Sequence, residues 1–219
     1  MLLRVKRALR IRTRLRSAHR WAIRYQWGWL TVQDWWIDRR FGASCGGTIA
    51  SPFEAQGATR TESASYFTLA KLFQHPLVRV APSDVLVDIG CGKGRVINYW
   101  LMSGLENPLV GIELTPAVGE WARTRLAQFG NVRIIIGDAV EKLPAEGTVF
   151  FLFNPFGRDT MEAFARQLLA RVSTRAVRII YLNARHLDAF DRRIWDVREL
   201  DSDSPDMAVL IRHVDAAKG

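Results

Sequence analysis

Four residues at alternate positions, Asp88, Gly90, Gly92 and Gly94 in "DVLVDIGCGKGRVINYW", have the makings of a site that holds a ligand on its own backbone. An apolar run, 85–89, leads into the glycines, and a second apolar-rich stretch follows them. Glycine adopts positive φ without steric cost and lets a ligand touch the main chain. Where such a turn opens a helix, free N–H groups and the positive end of the helix dipole favour an anionic group. The dinucleotide pattern GxGxxG, counted from Gly90, would need a third glycine at position 95, and Arg95 stands there. The spacing therefore argues against a nicotinamide or flavin site.

Other residues that can do chemistry fall at the ends of later apolar runs. Glu113 closes 109–113, and Asp138 and Ala139 follow 132–136. Ligands of open α/β sheets bind at the carboxyl ends of strands, which sets both acids apart from ordinary surface carboxylates. Asn154-Pro155-Phe156 follows 149–153, where the asparagine can serve as a turn residue or as a hydrogen-bonding group. Cys91 lies inside the glycine turn, facing either a ligand or the sheet, and is not read as a nucleophile: no Cys-His or Ser-His-Asp set accompanies it. Lys93 and Arg95 are given no role; a solvated position is open to both. His19, His75, His186 and His213 show no metal-ligand spacing, and Cys45 and Cys91 form no CxxC, so no metal site and no disulfide framework are expected. A reducing compartment is the default.

The elements that position these residues follow from periodicity. Strands are expected at 85–89, 109–113, 132–136, 149–153 and 178–182. Helices are expected between them, at 94–103, 116–129, 159–172 and 186–192. Thr115-Pro116 supplies an N-cap and a first-turn proline for the second helix. This alternation predicts a doubly wound α/β fold with a mostly parallel sheet. The runs 194–200 and 207–213 have no helix between them and predict an antiparallel hairpin at one sheet edge. Upstream, "ESASYFTLAKLFQ" predicts a short helix, and 42–62, rich in Gly, Ser, Ala and Thr, a long loop.

The chain has 219 residues, 48% of them hydrophobic, enough for one sizeable core. Its longest apolar run, "VFFLF", is far below a membrane span. The net charge of +9 is local. Residues 1–40 hold 11 of the 31 Lys/Arg and two of the 22 acids, Asp34 and Asp38, and the other 20 bases and 20 acids cancel. In this arm Ala22, Tyr25, Trp29, Val32 and Trp36 continue an apolar stripe at helical spacing, and Arg12, Arg16, Arg20 and Arg24 step by four on the opposite side. An amphipathic helix is expected, or two helices broken near Gly28. Its stripe packs on the main domain, or its cations bind phosphates of a nucleic acid or an anionic membrane. Among Trp21, Trp27, Trp29, Trp35 and Trp36, core positions are expected for at least half of the rings. The organisation is a basic helical arm over 1–40, a loop or linker over 41–62 and an α/β domain over 63–219. A cytoplasmic location is expected, with peripheral membrane contact through the arm left open.

The pattern from Asp88 to Gly94 resembles motif I of class I S-adenosylmethionine-dependent methyltransferases. "GIELTP" at 111–116, "IIIGDAVE" at 134–141 and "FLFNPFG" at 151–157 resemble their following motifs in the same order. A more local similarity is to bacterial members with "FG…GG" upstream and a tyrosine on the preceding helix, matched by Phe41-Gly42, Gly46-Gly47 and Tyr66. The resemblance implies a Rossmann-like, seven-stranded sheet with an antiparallel C-terminal edge, and S-adenosyl-L-methionine as cofactor. It implies that the turn of Gly90, Cys91, Gly92 and Gly94 holds the methionine part, with Asp88 engaging its amino group. It gives Glu113 the ribose hydroxyls, and Asp138 and Ala139 the adenine. Asn154-Pro155-Phe156 resembles the Asn-Pro-Pro-aromatic motif of methyltransferases acting on amino nitrogens, with one proline missing. There the asparagine oxygen accepts from the target nitrogen and the ring stacks on a planar target. The implied activity is methyl transfer to an acceptor such as an amino nitrogen of a nucleic acid or protein. The alternative is a non-catalytic module of the same fold that binds nucleic acid or an anionic membrane through its arm.

Overall fold

The computed structural model of the protein describes residues 28–47, 63–171, 176–200 and 207–212. A seven-stranded sheet runs through it: β1 (Leu86–Ile89), β2 (Leu109–Glu113), β3 (Val132–Ile136), β4 (Val149–Phe153), β5 (Val177–Leu182), β6 (Asp196–Glu199) and β7 (Met207–Arg212). The strand order is 3-2-1-4-5-7-6. The first five strands are mutually parallel, and β7 runs antiparallel between β5 and β6. The expected edge hairpin is therefore present, with its second strand on the inside. Side-chain chemistry explains the order. Met207, Val209 and Leu210 are buried, whereas β6 carries Asp196, Arg198 and Glu199 on an exposed edge, where charge discourages pairing with another chain.

Helices α1 (28–40), α2 (Tyr66–Phe73), α3 (Arg95–Met102), α4 (Pro116–Leu126) and α5 (Arg158–Arg171) complete the fold. Strand residues alternate between two faces, as the period of two requires. Leu86, Leu109, Phe151 and Ile180 pack with Leu69 and Leu72 of α2 and Ile97 and Trp100 of α3. Val87, Ile112, Phe150 and Ile179 pack with Met161, Phe164 and Leu168 of α5. Both faces are covered, so β1, β2 and most of β4 are buried along their length. The helix expected over 186–192 is only a single 3-10 turn, Leu187–Ala189. The side chain of Asp191 accepts from the Arg193 N–H at 2.9 Å, a local alternative to the helix ladder, and this delivers Trp195 edge-on to Phe190 in the core.

Helix α1 is oriented opposite to expectation. Asp34 and Asp38 point inward at 8% and 0% exposure, while Trp29, Val32 and Trp36 are 66%, 53% and 64% exposed and Trp35 is 41% exposed. The core positions expected for these rings are thus not found in α1. The arginine row at 12–24, the break near Gly28, Trp21 and Trp27, and most of the 42–62 loop lie outside the described residues. Among the described residues, no helix is long and apolar enough to cross a membrane.

Candidate active site

The chain leaves β1 through the glycine turn. Gly90 N–H and Cys91 N–H both donate to the Ile112 carbonyl at 2.9 Å, tying the turn to β2. Gly90, Gly92 and Gly94 have φ of 72°, 53° and 80°, a region that glycine alone enters freely. Two of them are also crowded by protein. A Cβ on Gly90 would lie 3.2 Å from Pro155 Cβ, and one on Gly94 would lie 2.9 Å from Leu126 Cδ1. The Gly90 contact is informative because it sets the glycine turn directly against the loop after β4.

Two buried carboxylates flank the turn. Glu113 is 5% exposed; Oε2 accepts from Gly92 N–H and Oε1 from Thr115 N–H, both at 2.9 Å. A carboxylate has about four acceptor positions, so each oxygen keeps capacity for another donor. Asp88 is 2% exposed, and its Oδ2 has no hydrogen-bond partner. Burial, reinforced by the nearby Glu113 charge, pushes the Asp88 carboxyl well above the usual carboxylate range. Cys91 turns toward the sheet, where its Sγ would be 2.8 Å from a Cβ on Gly111. Burial and the Asp88 charge push its thiol well up, in line with a non-nucleophilic role. Past β3, the half-buried Asp138 accepts from Val140 N–H at 2.7 Å, and Ala139 is buried in the core on the α5 side.

Beyond β4 and β5 the backbone takes the same unusual turn twice. Asn154 has φ 41° and Asn183 has φ 54°, adjacent strand ends that both finish in the left-handed region. Tyr181 O–H donates to Asn154 Oδ1 at 3.3 Å, and burial pushes this phenol up to about 12. Phe156 is 9% exposed, and its ring packs on Phe164 at 5.6 Å. A cavity of about 800 Å³ opens beside these strand ends. Phe153, Leu182, Met207 and Asn183 line it from the sheet, and Leu30 and Trp35 from α1.

Arg95, the first residue of α3, is 7% exposed rather than solvated. It forms a bidentate pair with Asp38, through Nε to Oδ1 at 3.2 Å and Nη2 to Oδ2 at 2.6 Å, and reaches Asp34 at 3.2 Å. Tyr66 donates its N–H to Asp34 and its O–H to Asp38, and Cys45 N–H also donates to Asp38. Asn98 donates to the Tyr66 hydroxyl at 3.2 Å, and Arg125 donates to Asn98 Oδ1 and to the Phe41 and Lys93 carbonyls. This network fastens α1, the 41–47 segment and α2 to the residues that follow the glycine turn. It also accounts for Gly46, where a Cβ would meet the Arg95 guanidinium at 3.2 Å. The sequence signal for the network was the i, i+4 spacing of the arm's only two acids, which sets both on one helix face.

Residues 86–180 match the family model described as a methyltransferase domain. No curated protein matches the sequence. Among solved structures, the chain is similar to an RNA methyltransferase from Salinibacter ruber in complex with S-adenosyl-L-homocysteine. That match has 23% identity and a TM-score of 0.52, and covers 68% of this chain and 92% of the other. It is also similar to TrmN from Thermus thermophilus at 16% identity and a TM-score of 0.53, over 69% of this chain and 49% of that one. A third is NcsB1, an O-methyltransferase from neocarzinostatin biosynthesis in complex with S-adenosyl-L-homocysteine and 1,4-dihydroxy-2-naphthoic acid. It is 16% identical with a TM-score of 0.50, over 60% and 50% of the two chains. At these identities the likeness is one of fold. Taken with the glycine turn, the buried acids at the strand ends and the 3-2-1-4-5-7-6 sheet, the match shows that residues 86–180 are similar to a methyltransferase domain and share the fold of these solved methyltransferases.

Proposed function

We propose that this domain transfers a methyl group from S-adenosylmethionine to an amino nitrogen of a nucleic acid. The observation that carries the reading is the contact of Gly90 with Pro155, which brings the donor turn against Asn154. The residues present fit the cofactor. Asp88 has a buried oxygen without a partner, suited to an ammonium group. Glu113 keeps acceptor capacity for two hydroxyls, as the ribose requires. Asp138 and Ala139 stand at the end of β3 for the adenine, and the turn of Gly90, Cys91, Gly92 and Gly94 takes the methionine part.

When bound, S-adenosylmethionine supplies an activated methyl group on a sulfonium that leaves as a neutral thioether. The chain's part is positioning. Asn154, held by Tyr181 and by its left-handed backbone, would accept an N–H of the acceptor and keep the nitrogen lone pair free to form the new N–C bond. The nitrogen then loses its extra proton to solvent. The ring of Phe156 is committed to Phe164, so a planar acceptor would lie against Trp35 or Phe153 in the cavity. Pro155 fixes the spacing of this loop to Gly90.

The fold likeness to an RNA methyltransferase and the charge of the arm, with Arg12, Arg16, Arg20 and Arg24 in register, support nucleic acid as the acceptor class. The test is to incubate the full chain with methyl-labelled S-adenosylmethionine and fractionated lysate. Label is expected in the nucleic-acid fraction; label confined to protein, lipid or small molecules would overturn the acceptor class. Calorimetry with S-adenosylhomocysteine tests the cofactor separately. Glu113→Ala is expected to weaken that binding at least tenfold through loss of two charge-assisted hydrogen bonds.

A further inference from the structure

We infer that the outward face of α1 is a docking platform for single-stranded nucleic acid, which delivers a nucleotide to the cavity beneath the same helix. The inference rests on the methyl-transfer reading above. A surface helix normally turns its apolar stripe to the core and its charges to water. Helix α1 does the reverse: two carboxylates face in, and Trp29, Val32 and Trp36, at i, i+3 and i+7, face out. The clamp on Arg95 explains why the acids are inside. Among the described residues nothing covers the two tryptophans on the other side: Trp36 meets only the edge of the neighbouring Trp35 ring at 5.3 Å, and each stays about two-thirds exposed.

Charge identifies the occupant. Residues 1–27 carry nine Lys/Arg and no acid, and they enter α1 at the end where Trp29 stands. At the other end of the helix two cations follow the exposed rings. Arg39 lies over the Trp35 ring at 4.8 Å, and Arg40 is exposed beside it. Aromatic rings for stacking, set among cations for phosphates, are what unpaired nucleotides require. Trp29 and Trp36 are two helical turns apart, roughly 10 Å along the axis, so they can receive different bases of one strand. Trp35 belongs to both surfaces, since it also lines the cavity. The rigid link from Asp34 and Asp38 to Arg95 fixes the platform relative to the glycine turn.

The test measures binding of the full chain to a labelled 20-nucleotide single-stranded RNA, to the same sequence as a duplex, and to phosphatidylglycerol vesicles, across a salt series. Tight, salt-dependent binding of the single strand over the duplex is expected. The double variant Trp29→Ala, Trp36→Ala is expected to bind the strand about 25-fold more weakly, taking each ring as about fivefold. Its salt slope should stay the same, because the rings carry no charge. Trp29→Phe, Trp36→Phe should restore most of the affinity, and both variants should melt with wild type because the rings are exposed. Wild-type affinity in the Ala variant, or wild-type binding to vesicles and not to the strand, would overturn the inference. Binding of S-adenosylhomocysteine should be the same in wild type and variants. Its absence from the wild type would remove the methyl-transfer reading while leaving the strand-binding result to stand or fall alone.

Discussion

At Asp88 stability and the proposed function meet in one atom. A buried carboxylate oxygen without a partner is costly, and the fold's answer is to raise the group's affinity for a proton. The sign of the pH dependence follows. The unfolded carboxyl titrates near pH 4 and the folded one well above it, so over that interval the folded state holds a proton the unfolded state has lost. Stability therefore falls as pH rises from about 4. Asp88→Asn removes the charge at nearly constant volume. It is expected to be more stable than wild type at pH 7, by on the order of 1–3 kcal/mol, with the advantage vanishing below about pH 4. Urea unfolding at several pH values checks this. On the proposed function, the same substitution should weaken S-adenosylhomocysteine roughly tenfold by removing the anion that would face its ammonium group. A variant that gains stability and keeps full affinity would remove Asp88 from the site.

At the scale of elements, the clamp between α1 and α3 decides how the site is covered. Arg95 opens α3, where the helix dipole disfavours a cation, and it is buried as well. Asp38 and Asp34 offset both costs. Breaking such a pair from one side leaves a buried charge, so Asp38→Asn is expected to cost about 3–5 kcal/mol. Adding Arg95→Met should recover much of that loss, since an apolar replacement of the whole pair is often neutral. A double-mutant cycle by chemical denaturation reads the coupling, and additive losses would show that the two residues do not act together. Little of this clamp is legible in sequence. The strands were, because alternation between two apolar faces is a local pattern, and so was the glycine turn, whose spacing is local too. The clamp joins residues 57 and 61 positions apart, which no period encodes. Helical periodicity shows that Trp29, Val32 and Trp36 share a face but not which way the face points. That was settled by the partners waiting for the acids on the opposite side, Arg95 and Tyr66. The expected helix at 186–192 failed for a local reason instead, the turn that Asp191 makes with its own side chain.

Across the whole molecule, charge and attachment are segregated along the N-terminal forty residues. Residues 1–27 hold the entire +9, while 28–40 are neutral in sum, with Asp34 and Asp38 against Arg39 and Arg40. Two truncations therefore separate two roles. Removing residues 1–27 keeps every clamp partner, so the melting temperature and the S-adenosylhomocysteine affinity should stay close to wild type. Salt-dependent binding to a nucleic-acid strand should drop sharply, because counterion release scales with the phosphates neutralised. Removing residues 1–40 also strips Arg95 of both carboxylates and Tyr66 of its two acceptors. That version should melt several degrees lower. It should also bind S-adenosylhomocysteine more weakly, since Arg95 directly follows Gly94 and Arg125 holds the Lys93 carbonyl of the turn through the same network. Thermal melts and calorimetry on the two truncations measure both quantities. If they behaved alike, α1 would be a passenger on the domain. If only the longer truncation loosens cofactor binding, the helix that carries the exposed tryptophans is also part of what shapes the donor site, and strand docking and methyl-donor binding share one rigid element.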